Sequence, residues 1–319
     1  MSEVKKVNLR FINSKLENKY DLFICCSSFE ERCCTIPQKI KNKQFSQIII
    51  FENSTGSALI KNNSQKIKGL FAHNQTIVST DFSDTLSFAD KLAKQISMIQ
   101  GRKLKVLIDV TTFTHETLLI CLRVLKLTKK VDEFTCVYVN ATEYCPGQEI
   151  EKKWLSRGCK NVHSILGYPG MLFPSLKTHL IVIVGYEYNR AFDMISTIEP
   201  NSVSLVYGSA NDSITVKDKE ANSTYNTLVL QMAFEYKNIE TVEMPCDNPN
   251  LVAEGLTKII SDHENDNIVI VPMNNKMSTV GVALSAFQNE RVQVCYAPAV
   301  LYNEENYSIP GNYCYFTKV

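Results

Sequence analysis

The chain has 319 residues, of which 45% are hydrophobic and 21% charged, and this composition excludes a disordered, collagen-like or coiled-coil protein. The 34 Lys and Arg residues nearly balance the 33 Asp and Glu residues, so a net charge of +1 gives no global field that would hold nucleic acid or an anionic membrane. The length suits two domains or one large α/β unit.

The first residues lack the apolar run of a secretory signal, and no stretch reaches the roughly 20 apolar residues that a membrane span needs. We therefore expect a cytoplasmic protein that does not associate with membranes. Reducing conditions disfavour disulfides, and the 11 cysteines include no CxxC pair that would indicate zinc or a redox dithiol. The adjacent pairs Cys25-Cys26 and Cys33-Cys34 are accordingly predicted to be buried apolar residues.

Short apolar runs rich in β-branched residues alternate with helical patterns along the chain. The first half predicts strands at 22–26, 48–51, 76–79, 106–108 and 135–139, and helices at 30–41, 83–99 and 115–128. The segment GYPGMLFPSLK follows, and its glycines and prolines predict a linker at 166–178. The second half predicts strands at 180–184, 203–207, 239–243, 268–271 and 292–296, and helices at 189–198, 222–236, 250–261 and 278–287.

The two halves repeat the same order of elements. LFICCSSFEERCC aligns with LIVIVGYEYNRAF at an offset of 158 residues, and IDVTTFTHETLLICL aligns with VPMNNKMSTVGVALS at an offset of 163 residues. Identity between the halves is very low, so the repeat depends on element order and on matching polar turns. We predict an α/β fold with two Rossmann-like lobes, mainly parallel sheets and a degenerate internal repeat; the lobes are 1–165 and 179–319, joined by the linker.

Ligands of parallel α/β sheets gather beyond the carboxyl ends of the strands, where loops meet helix N-termini. Polar side chains that follow the first and fourth strands of each half are therefore the candidate ligand-binding residues. In the first half these are Ser27, Ser28, Arg32, Asp109, Thr111, Thr112, Thr114 and His115, and in the second half they are Tyr186, Arg190, Asn274, Asn275, Lys276 and Ser278.

Hydroxyls and helix-terminal amides at these positions suit phosphate or ribose oxygens, although Thr114 equally suits a helix N-cap. Lys276 suits a phosphate contact or a solvated loop charge. Arg32 and Arg190 follow the first strand of each half, where a guanidinium reaches a phosphate over a helix N-terminus. The alternative is a surface ion pair of each arginine with the neighbouring Glu30 or Glu187.

The stretch IDVTTFT, from Ile108 to Thr114, resembles the "D-x-T" loop after the fourth strand in the CRISPR-associated Rossmann fold (CARF) family and the related SAVED sensors. The stretch IVPMNNKMSTVG, from Ile270 to Gly281, resembles the corresponding Lys-containing loop of the second lobe. The resemblance implies a regulatory protein that binds a cyclic oligonucleotide or another nucleotide messenger, in antiviral defence, with an effector or defence-complex protein as partner. The first loop lacks the glycines that many such loops have, and glycine is the residue that lets a backbone approach a phosphate closely.

Two other functions remain open from the sequence. YDLFICCSSFEERC, from Tyr20 to Cys33, resembles the opening of a TIR-like domain, which implies NAD cleavage with a catalytic glutamate; Glu30, Glu116 and Glu143 are nominal candidates. An enzyme that acts on a nucleotide would take Asp109, His115 or such a glutamate as acid or base. The other alternative is a scaffold subunit without a ligand.

The five histidines show no HxH or HExxH spacing, and the chain has no Walker loop and no GxSxG elbow. We therefore expect no metal and no cofactor. The C-terminal segment LYNEENYSIPGNYCYFTKV has four tyrosines. It could cross the sheet or dock on a partner, because tyrosine buries a large area and keeps a polar end. The alternative is a final edge strand with a turn at Pro310-Gly311. We favour the edge strand.

Overall fold

The structure is a computed structural model that describes residues 4–101, 103–149, 152–208, 223–224, 227, 229–231 and 238–319. The chain forms two compact units. Unit 1 comprises Met1–Thr142 and Ser308–Val319, and unit 2 comprises Glu143–Tyr307. Each unit has a Rossmann-like α/β fold with a mainly parallel sheet.

The elements are numbered here in chain order over the described residues. The strands are β1 (Lys5–Asn8), β2 (Lys19–Cys26), β3 (Gln44–Asn53), β4 (Gln75–Thr80), β5 (Leu104–Asp109), β6 (Val131–Tyr144), β7 (Ser156–Cys159), β8 (His163–Pro169), β9 (Thr178–Val184), β10 (Ser202–Gly208), β11 (Ile239–Met244), β12 (Asn267–Pro272), β13 (Val292–Tyr296), β14 (Ala299–Tyr302) and β15 (Ser308–Lys318). The helices are α1 (Ile12–Lys15), α2 (Thr35–Ile40), α3 (Ala58–Gly69), α4 (Thr85–Met98), α5 (His115–Leu127), α6 (Tyr188–Ile198), α7 (Pro249–Asp262) and α8 (Lys276–Gln288), and a short 3-10 helix covers Glu31–Cys34.

The sheet of unit 1 has the strand order β1-β15-β6-β5-β2-β3-β4. Strands β6, β5, β2, β3 and β4 are parallel neighbours, and β15 pairs with β1 in antiparallel fashion. Strand β15 also runs antiparallel to β6, because Phe134 exchanges backbone hydrogen bonds with Val319 whereas Thr142, farther along β6, bonds the carbonyl of Pro310. The C-terminal strand therefore lies inside this sheet.

The sheet of unit 2 has the strand order β11-β10-β9-β12-β13-β8, in which β8 alone among these strands is antiparallel to its neighbour. A separate antiparallel ribbon consists of β7 and β14. The five parallel strands of each unit follow the same order, third, second, first, fourth and fifth along the chain. This order is the doubly wound arrangement, in which the order reverses between the first and fourth strands.

Strand register relates the two units residue by residue. Leu22 pairs with Val106 across β2 and β5, and Leu180 pairs with Val269 across β9 and β12. Leu180 follows Leu22 by 158 positions and Val269 follows Val106 by 163, which are the offsets of the two sequence alignments. The internal repeat is therefore present in the sheet register.

Helix boundaries follow local capping. The side chains of Asp84, Thr114, Asn248 and Asn275 each accept a backbone N–H in the first turn of the helix that follows, and Pro249 occupies the first position of α7. Capping satisfies N–H groups that would otherwise lack a partner at the start of a helix. The strands between these helices are almost continuously buried, as in β9 and β12, because helices cover both faces of a parallel sheet.

The division between the units differs in position from the predicted boundary. The structure places it at residues 142–143 and 307–308, whereas the predicted linker 166–178 lies within unit 2 and contributes to β8. Residues 308–319 belong to unit 1 rather than to the second lobe. Most of the predicted helix 222–236 lies outside the described residues.

Among the elements that depart from the predicted pattern, helix α3 and strand β15 do so for clear physical reasons. Helix α3 is absent from the sequence prediction because polar residues occupy its buried side: the Asn63 amide donates to the Ser28 carbonyl, and Ser64 is hydrogen-bonded to Glu52. The prediction of an edge strand with a turn at Pro310-Gly311 is wrong, because β15 continues through these residues between β1 and β6. A Cβ at position 311 would collide with the side chain of Asn140, so the glycine allows this close pairing.

The cysteines are free, and those at 25, 26 and 33 are buried as expected, whereas Cys34, which was also expected to be buried, is only half-buried. Cys25 and Cys33 pack in the unit 1 core with Phe23 and Ile50, whereas Val182 belongs to the separate core of unit 2. Burial raises the pKa of the Cys25 thiol well above its ordinary value, so it behaves as an apolar residue.

Candidate functional site

The predicted ligand-binding residues lie where each strand order reverses. In unit 1 this point lies beyond the carboxyl ends of β2 and β5, and in unit 2 it lies beyond the carboxyl ends of β9 and β12. The loop after β2 carries Ser27 and Ser28, and both are buried. The Ser27 hydroxyl donates to the Ile60 carbonyl at 2.6 Å, and the Ser28 hydroxyl accepts the backbone N–H of Glu30 at 3.3 Å. These two hydroxyls therefore hold the loop itself.

Arg32 forms a buried ion pair with Glu30. Its Nη2 lies 2.6 Å from Glu30 Oε2, and the two side chains are only 4% and 9% exposed. Arg32 Nη1 donates to the Val139 carbonyl of β6 at 3.2 Å, and the Ser308 hydroxyl donates to Glu30 at 2.6 Å. The ion-pair alternative of the sequence analysis thus describes the contact, but the pair is buried rather than on the surface.

Asp109 is the last residue of β5, and its side chain accepts hydrogen bonds from the loop that follows. Its Oδ1 accepts hydrogen bonds from the backbone N–H and the hydroxyl of Thr111, and the Thr111 hydroxyl also accepts the N–H of Val139 at 3.0 Å. Burial raises the pKa of Asp109 to about 7, although the Thr111 bonds and the Arg32 charge oppose this rise. The carboxyl group therefore titrates near neutral pH.

Thr112 joins the two loops of unit 1, because its hydroxyl donates to the carbonyl of Cys26, the last residue of β2, at 2.6 Å. Thr114 is the N-cap of α5 and accepts the N–H of Thr117 at 3.1 Å, as the capping alternative predicts. His115 is buried in the first turn of that helix. The polar residues of the loop after β5 thus fix the start of α5.

Arg190 in unit 2 repeats the arrangement of Arg32. Its Nη1 lies 2.7 Å from Glu187 Oε1, and both side chains are buried. Its Nη2 donates to the carbonyl of Ala297, which follows β13, and the Ser156 hydroxyl donates to Glu187. Burial disfavours the charge, but the Glu187 carboxylate outweighs burial and raises the pKa of Arg190.

The loop after β12 also repeats features of unit 1. The Asn274 amide donates to the carbonyl of Val184, the last residue of β9, at 2.6 Å, as Thr112 does to Cys26. Asn275 caps α8 by accepting the N–H of Ser278 at 2.9 Å, and the buried Ser278 hydroxyl donates to the Asn275 carbonyl at 2.8 Å. Lys276 is the half-buried first residue of this helix.

Gly185 allows the two loops of unit 2 to approach closely. A Cβ at this position would lie 2.7 Å from the Met273 carbonyl oxygen and 3.0 Å from Asn274 Cα. Each unit therefore has the same buried frame, in which a Ser-Glu-Arg network ties the first loop to the fifth strand and a side-chain amide or hydroxyl ties the fourth loop to the first strand.

A cavity of about 200 Å³ opens beside this frame in unit 2. Tyr186 and Arg190, both predicted, contribute to its wall together with the start of α6. The rest of the lining comes from the segment before and within β7, where the Arg157 guanidinium lies 4.3 Å from the centre of the Trp154 ring. Trp154 is half-buried, and Arg157 and Lys152 are exposed.

The cavity thus combines aromatic rings with cations. The rings of Tyr186 and Tyr144 pack in a tilted arrangement, with 5.1 Å between their centres and 52° between their planes. Lys152 pairs with Glu149 at 2.9 Å on the surface. Lys153, which also lines the cavity, is buried and donates to the Tyr144 carbonyl at 2.8 Å. Flat apolar rings beside cationic groups and helix N-terminal amides suit a ligand that has both an aromatic ring and an anionic group.

Sequence reasoning missed Lys152, Trp154 and Arg157, because they do not directly follow a strand of the parallel sheet. The available signal was that Trp154 is the single tryptophan of the chain. The predicted residues of unit 1, and Asn274, Asn275, Lys276 and Ser278 of unit 2, are not in the lining of this cavity. Of the glutamates considered for NAD cleavage, Glu30 is held by Arg32, Glu116 is buried in α5, and Glu143 lies 3.9 Å from Lys153.

No protein-family profile matches the chain, and no curated protein matches it. Among solved structures, an N-terminal ketoreductase from a macrolactin assembly line is similar with a TM-score of 0.24 and 6% identity, over 92% of this chain and 72% of that one. A multidomain structure with adenylation, ketoreductase and pseudo Asub parts, from a keto acid-selecting NRPS module, has a TM-score of 0.25 and 8% identity. This second likeness covers 85% of this chain and 29% of that one, and neither likeness assigns an activity.

No helix in the described part of the chain combines the length and the apolar character that a bilayer crossing needs.

Proposed function

We propose that this protein is a nucleotide-binding regulatory protein and that the cavity of unit 2 holds one nucleotide. The observation that carries the proposal is the pairing of Trp154 with Arg157 in a cavity that Tyr186 also lines, at the carboxyl end of β9. Stacking of a nucleotide base on a tryptophan or tyrosine ring contributes about 1–3 kcal/mol to the binding free energy, whichever base it is. A guanidinium beside the rings supplies the complementary contact to a phosphate.

The size of the cavity favours one nucleotide rather than a whole oligonucleotide. Sites for drug-sized ligands usually enclose about 300–1,000 Å³. A cavity of about 200 Å³ is smaller and fits a base with part of its sugar-phosphate, while the rest of a larger ligand stays outside. Besides Arg157, the backbone amides at the start of α6 and the ammonium of Lys152, whose pair with Glu149 is exposed, are groups that can bind phosphate oxygens.

The resemblance to CARF and SAVED sensors suggests the class of ligand and the cellular role. On this proposal the ligand is a cyclic oligonucleotide or another nucleotide messenger, the setting is antiviral defence, and the response passes to an effector protein. The support for this part is the pair of sequence stretches 108–114 and 270–281 together with the repeated doubly wound strand order.

Isothermal titration calorimetry with cyclic di-, tri- and tetranucleotides, NAD and ADP-ribose tests the proposal. We expect at least one ligand to bind below millimolar concentration, and Trp154→Ala and Arg157→Gln each to weaken it at least about tenfold, as the loss of one stacking or charged contact predicts. Lys258→Gln is the matched control, because Lys258 is an exposed cation on α7 outside the cavity. Absence of binding by any of these ligands, or equal affinity in all variants, would contradict the proposal and favour the scaffold alternative.

A second candidate function is an enzyme that cleaves a nucleotide at unit 1, apart from the cavity of unit 2, and the observation that favours it is the position of Asp109 where the strand order reverses, together with its pKa near 7. A carboxyl group with this pKa suits general acid-base catalysis at neutral pH. Chromatography of NAD and cyclic oligonucleotides after incubation with the protein separates the two functions. Turnover that disappears in Asp109→Asn supports the enzyme, and recovery of intact nucleotides supports the sensor.

A further inference from the structure

A cluster of metal-ligating side chains lies at the amino edge of the unit 2 sheet, at the opposite ends of the strands from the cavity. His179 and Glu240 are the second residues of β9 and β11, and His263 directly follows α7. One ligand atom from each of these three residues lies within 4.8 Å of the other two. The three residues are far apart in the sequence, so no spacing motif predicts the cluster.

His263 has the carboxylate partner that a metal-binding histidine commonly has. Its Nδ1 lies 2.9 Å from Asp266 Oδ2, which leaves Nε2 as the nitrogen that can face a cation. The Arg291 guanidinium donates to the carbonyls of Asp266 and His263, at 2.8 and 3.4 Å, and thereby fixes the turn that carries both residues. A carboxylate on the second nitrogen of an imidazole is the common arrangement around metal-bound histidines.

His179 has matching support. The residue is 1% exposed, and its Nδ1 lies 2.7 Å from the Ser202 hydroxyl. Its Nε2 lies 2.8 Å from the Ser204 hydroxyl, which donates to Glu240. The Ser204 hydroxyl thus lies between the His179 imidazole and the Glu240 carboxylate, the two groups that a cation would bridge.

We propose that His179, Glu240 and His263 bind one divalent cation of the zinc class. Two imidazoles and one carboxylate form the ligand set that zinc takes with three protein ligands and a water in the fourth position. The charges of Glu240 and Asp266 together balance a 2+ ion. The cation enters from the side of Glu240, which is exposed, and it links β9, β11 and the turn between α7 and β12.

Binding requires local rearrangements at both histidines. The rings of His179 and His263 are stacked, with 3.5 Å between their centres and 13° between their planes. The lone pairs of parallel rings do not converge on one ion, so the half-buried His263 ring tilts out of the stack when the cation binds. Nδ1 of His179 then donates to Ser202, and Ser204 gives up its contact with the imidazole.

Titration of the chelator-treated full chain with Zn²⁺, followed by calorimetry, tests the site. We expect the unmodified protein to bind one equivalent of Zn²⁺ that Glu240→Gln and His263→Gln lose or bind at least about 100-fold more weakly. Removal of the supporting carboxylate in Asp266→Asn weakens binding about tenfold. Because the 11 cysteines can also take up zinc, the difference in stoichiometry between variants is the readout.

The chain offers matched controls. Glu243 is exposed on the same strand as Glu240, and His163 is exposed on β8, so Glu243→Gln and His163→Gln keep the full stoichiometry. Zn²⁺ also raises the thermal unfolding midpoint of the unmodified protein and of both controls, but not of Glu240→Gln. Equal stoichiometry and equal thermal shifts in all variants would overturn the proposal. This test is independent of nucleotide binding.

Discussion

Arg32 and Arg190 occupy the same place in their units, and each has its charge balanced inside the protein. Glu30 and Glu187 accept the guanidinium groups, and one nitrogen of each guanidinium donates to a backbone carbonyl of the fifth strand or of the residue that follows it. Removing one partner of a buried pair leaves an uncompensated charge, which is far more costly than breaking an exposed pair. These arginines therefore act mainly in stability.

Glu30→Gln should destabilise unit 1 by about 3–5 kcal/mol, because Arg32 then remains buried without its counter-charge. Glu133→Gln is the control, since Glu133 pairs with Lys318 at 3.1 Å where both side chains are more than 40% exposed, and it should cost less than about 1 kcal/mol. Urea unfolding followed by circular dichroism measures both. Similar losses in the two variants would show that the buried pair is not a main support of the loop.

Asp109 gives unit 1 a characteristic pH dependence. Its pKa is about 7 in the folded chain against an ordinary value of 3.8, so the folded protein holds a proton that the unfolded chain releases. The contribution of this raised pKa to stability is fully present below the unfolded value and is lost as pH rises towards 7, at about 1.4 kcal/mol per pH unit.

Asp109→Asn should remove this dependence while it keeps the acceptor oxygen for both Thr111 donors. Relative to the unmodified protein, we expect the variant to gain stability between about pH 4 and about pH 7, measured by urea unfolding across that range. Asp90→Asn, at an exposed position of α4, should keep the profile of the unmodified chain. An unchanged slope in Asp109→Asn would mean that the carboxyl is ionised in the folded protein.

At the scale of elements, four helices begin at side chains that cap their first turns, and two of these side chains, Thr114 and Asn275, were predicted to bind ligand. If Thr114 or Asn275 acts only as a cap, its substitution lowers stability alone; if it also contacts ligand, the substitution lowers affinity as well. A cap contributes about 1 kcal/mol to stability wherever it lies, whereas a ligand contact changes affinity.

Thr114→Ala should lower the free energy of unfolding by about 1 kcal/mol, as should Asp84→Ala at the start of α4, outside the predicted site. Chemical denaturation provides this comparison. Calorimetry with the best nucleotide then distinguishes the roles, since a pure cap leaves affinity unchanged in both variants. A loss of affinity in Thr114→Ala alone would assign Thr114 to the ligand.

Elements with a plain apolar signal could be predicted from the sequence, and those with a polar or interrupted signal could not. The buried strand β9 and the amphipathic helix α7 match their predicted ranges closely. Helix α3 was missed because Asn63 and Ser64 lie on its buried side, and the continuous strand β15 was misjudged because Pro-Gly usually ends a strand.

The positions of the candidate site residues in loops at strand ends were predictable, but their partners were not. Glu30 meets Ser308 from the far end of the chain, and no local pattern links those positions. The cavity depends on Trp154 and Arg157, which precede and enter a short ribbon strand, and the metal-ligating cluster joins three separate elements. Such contacts come from tertiary packing, which a single sequence does not encode in its spacing.

At the scale of the whole molecule, the strand order of unit 1 makes its sheet depend on residues distant in sequence. Strand β15 lies between β1 and β6, and Cys314 and Phe316 belong to the unit 1 core. Without β15, the edge of β6 is open and part of the core is exposed.

Deletion of residues 308–319 should therefore weaken unit 1 and spare unit 2. We expect hydrogen exchange to show lost protection in β2, β3 and β5 and retained protection in β9 and β12. Tyr313→Ala, a substitution of a 43% exposed side chain on β15, should leave both sets of amides protected. Equal loss of protection in both units on deletion would show that the units unfold together.

The interrupted path of unit 1 also sets an order of events during synthesis on the ribosome. Unit 2 is continuous along the chain, so its sheet can form as soon as its own residues have emerged. The residues of unit 1 that precede unit 2 must instead wait, with β6 unpaired on one side, until unit 2 and then β15 have been translated. A strand made after unit 2 thus completes a sheet begun before it, and during this interval a chaperone would have an exposed strand edge to protect.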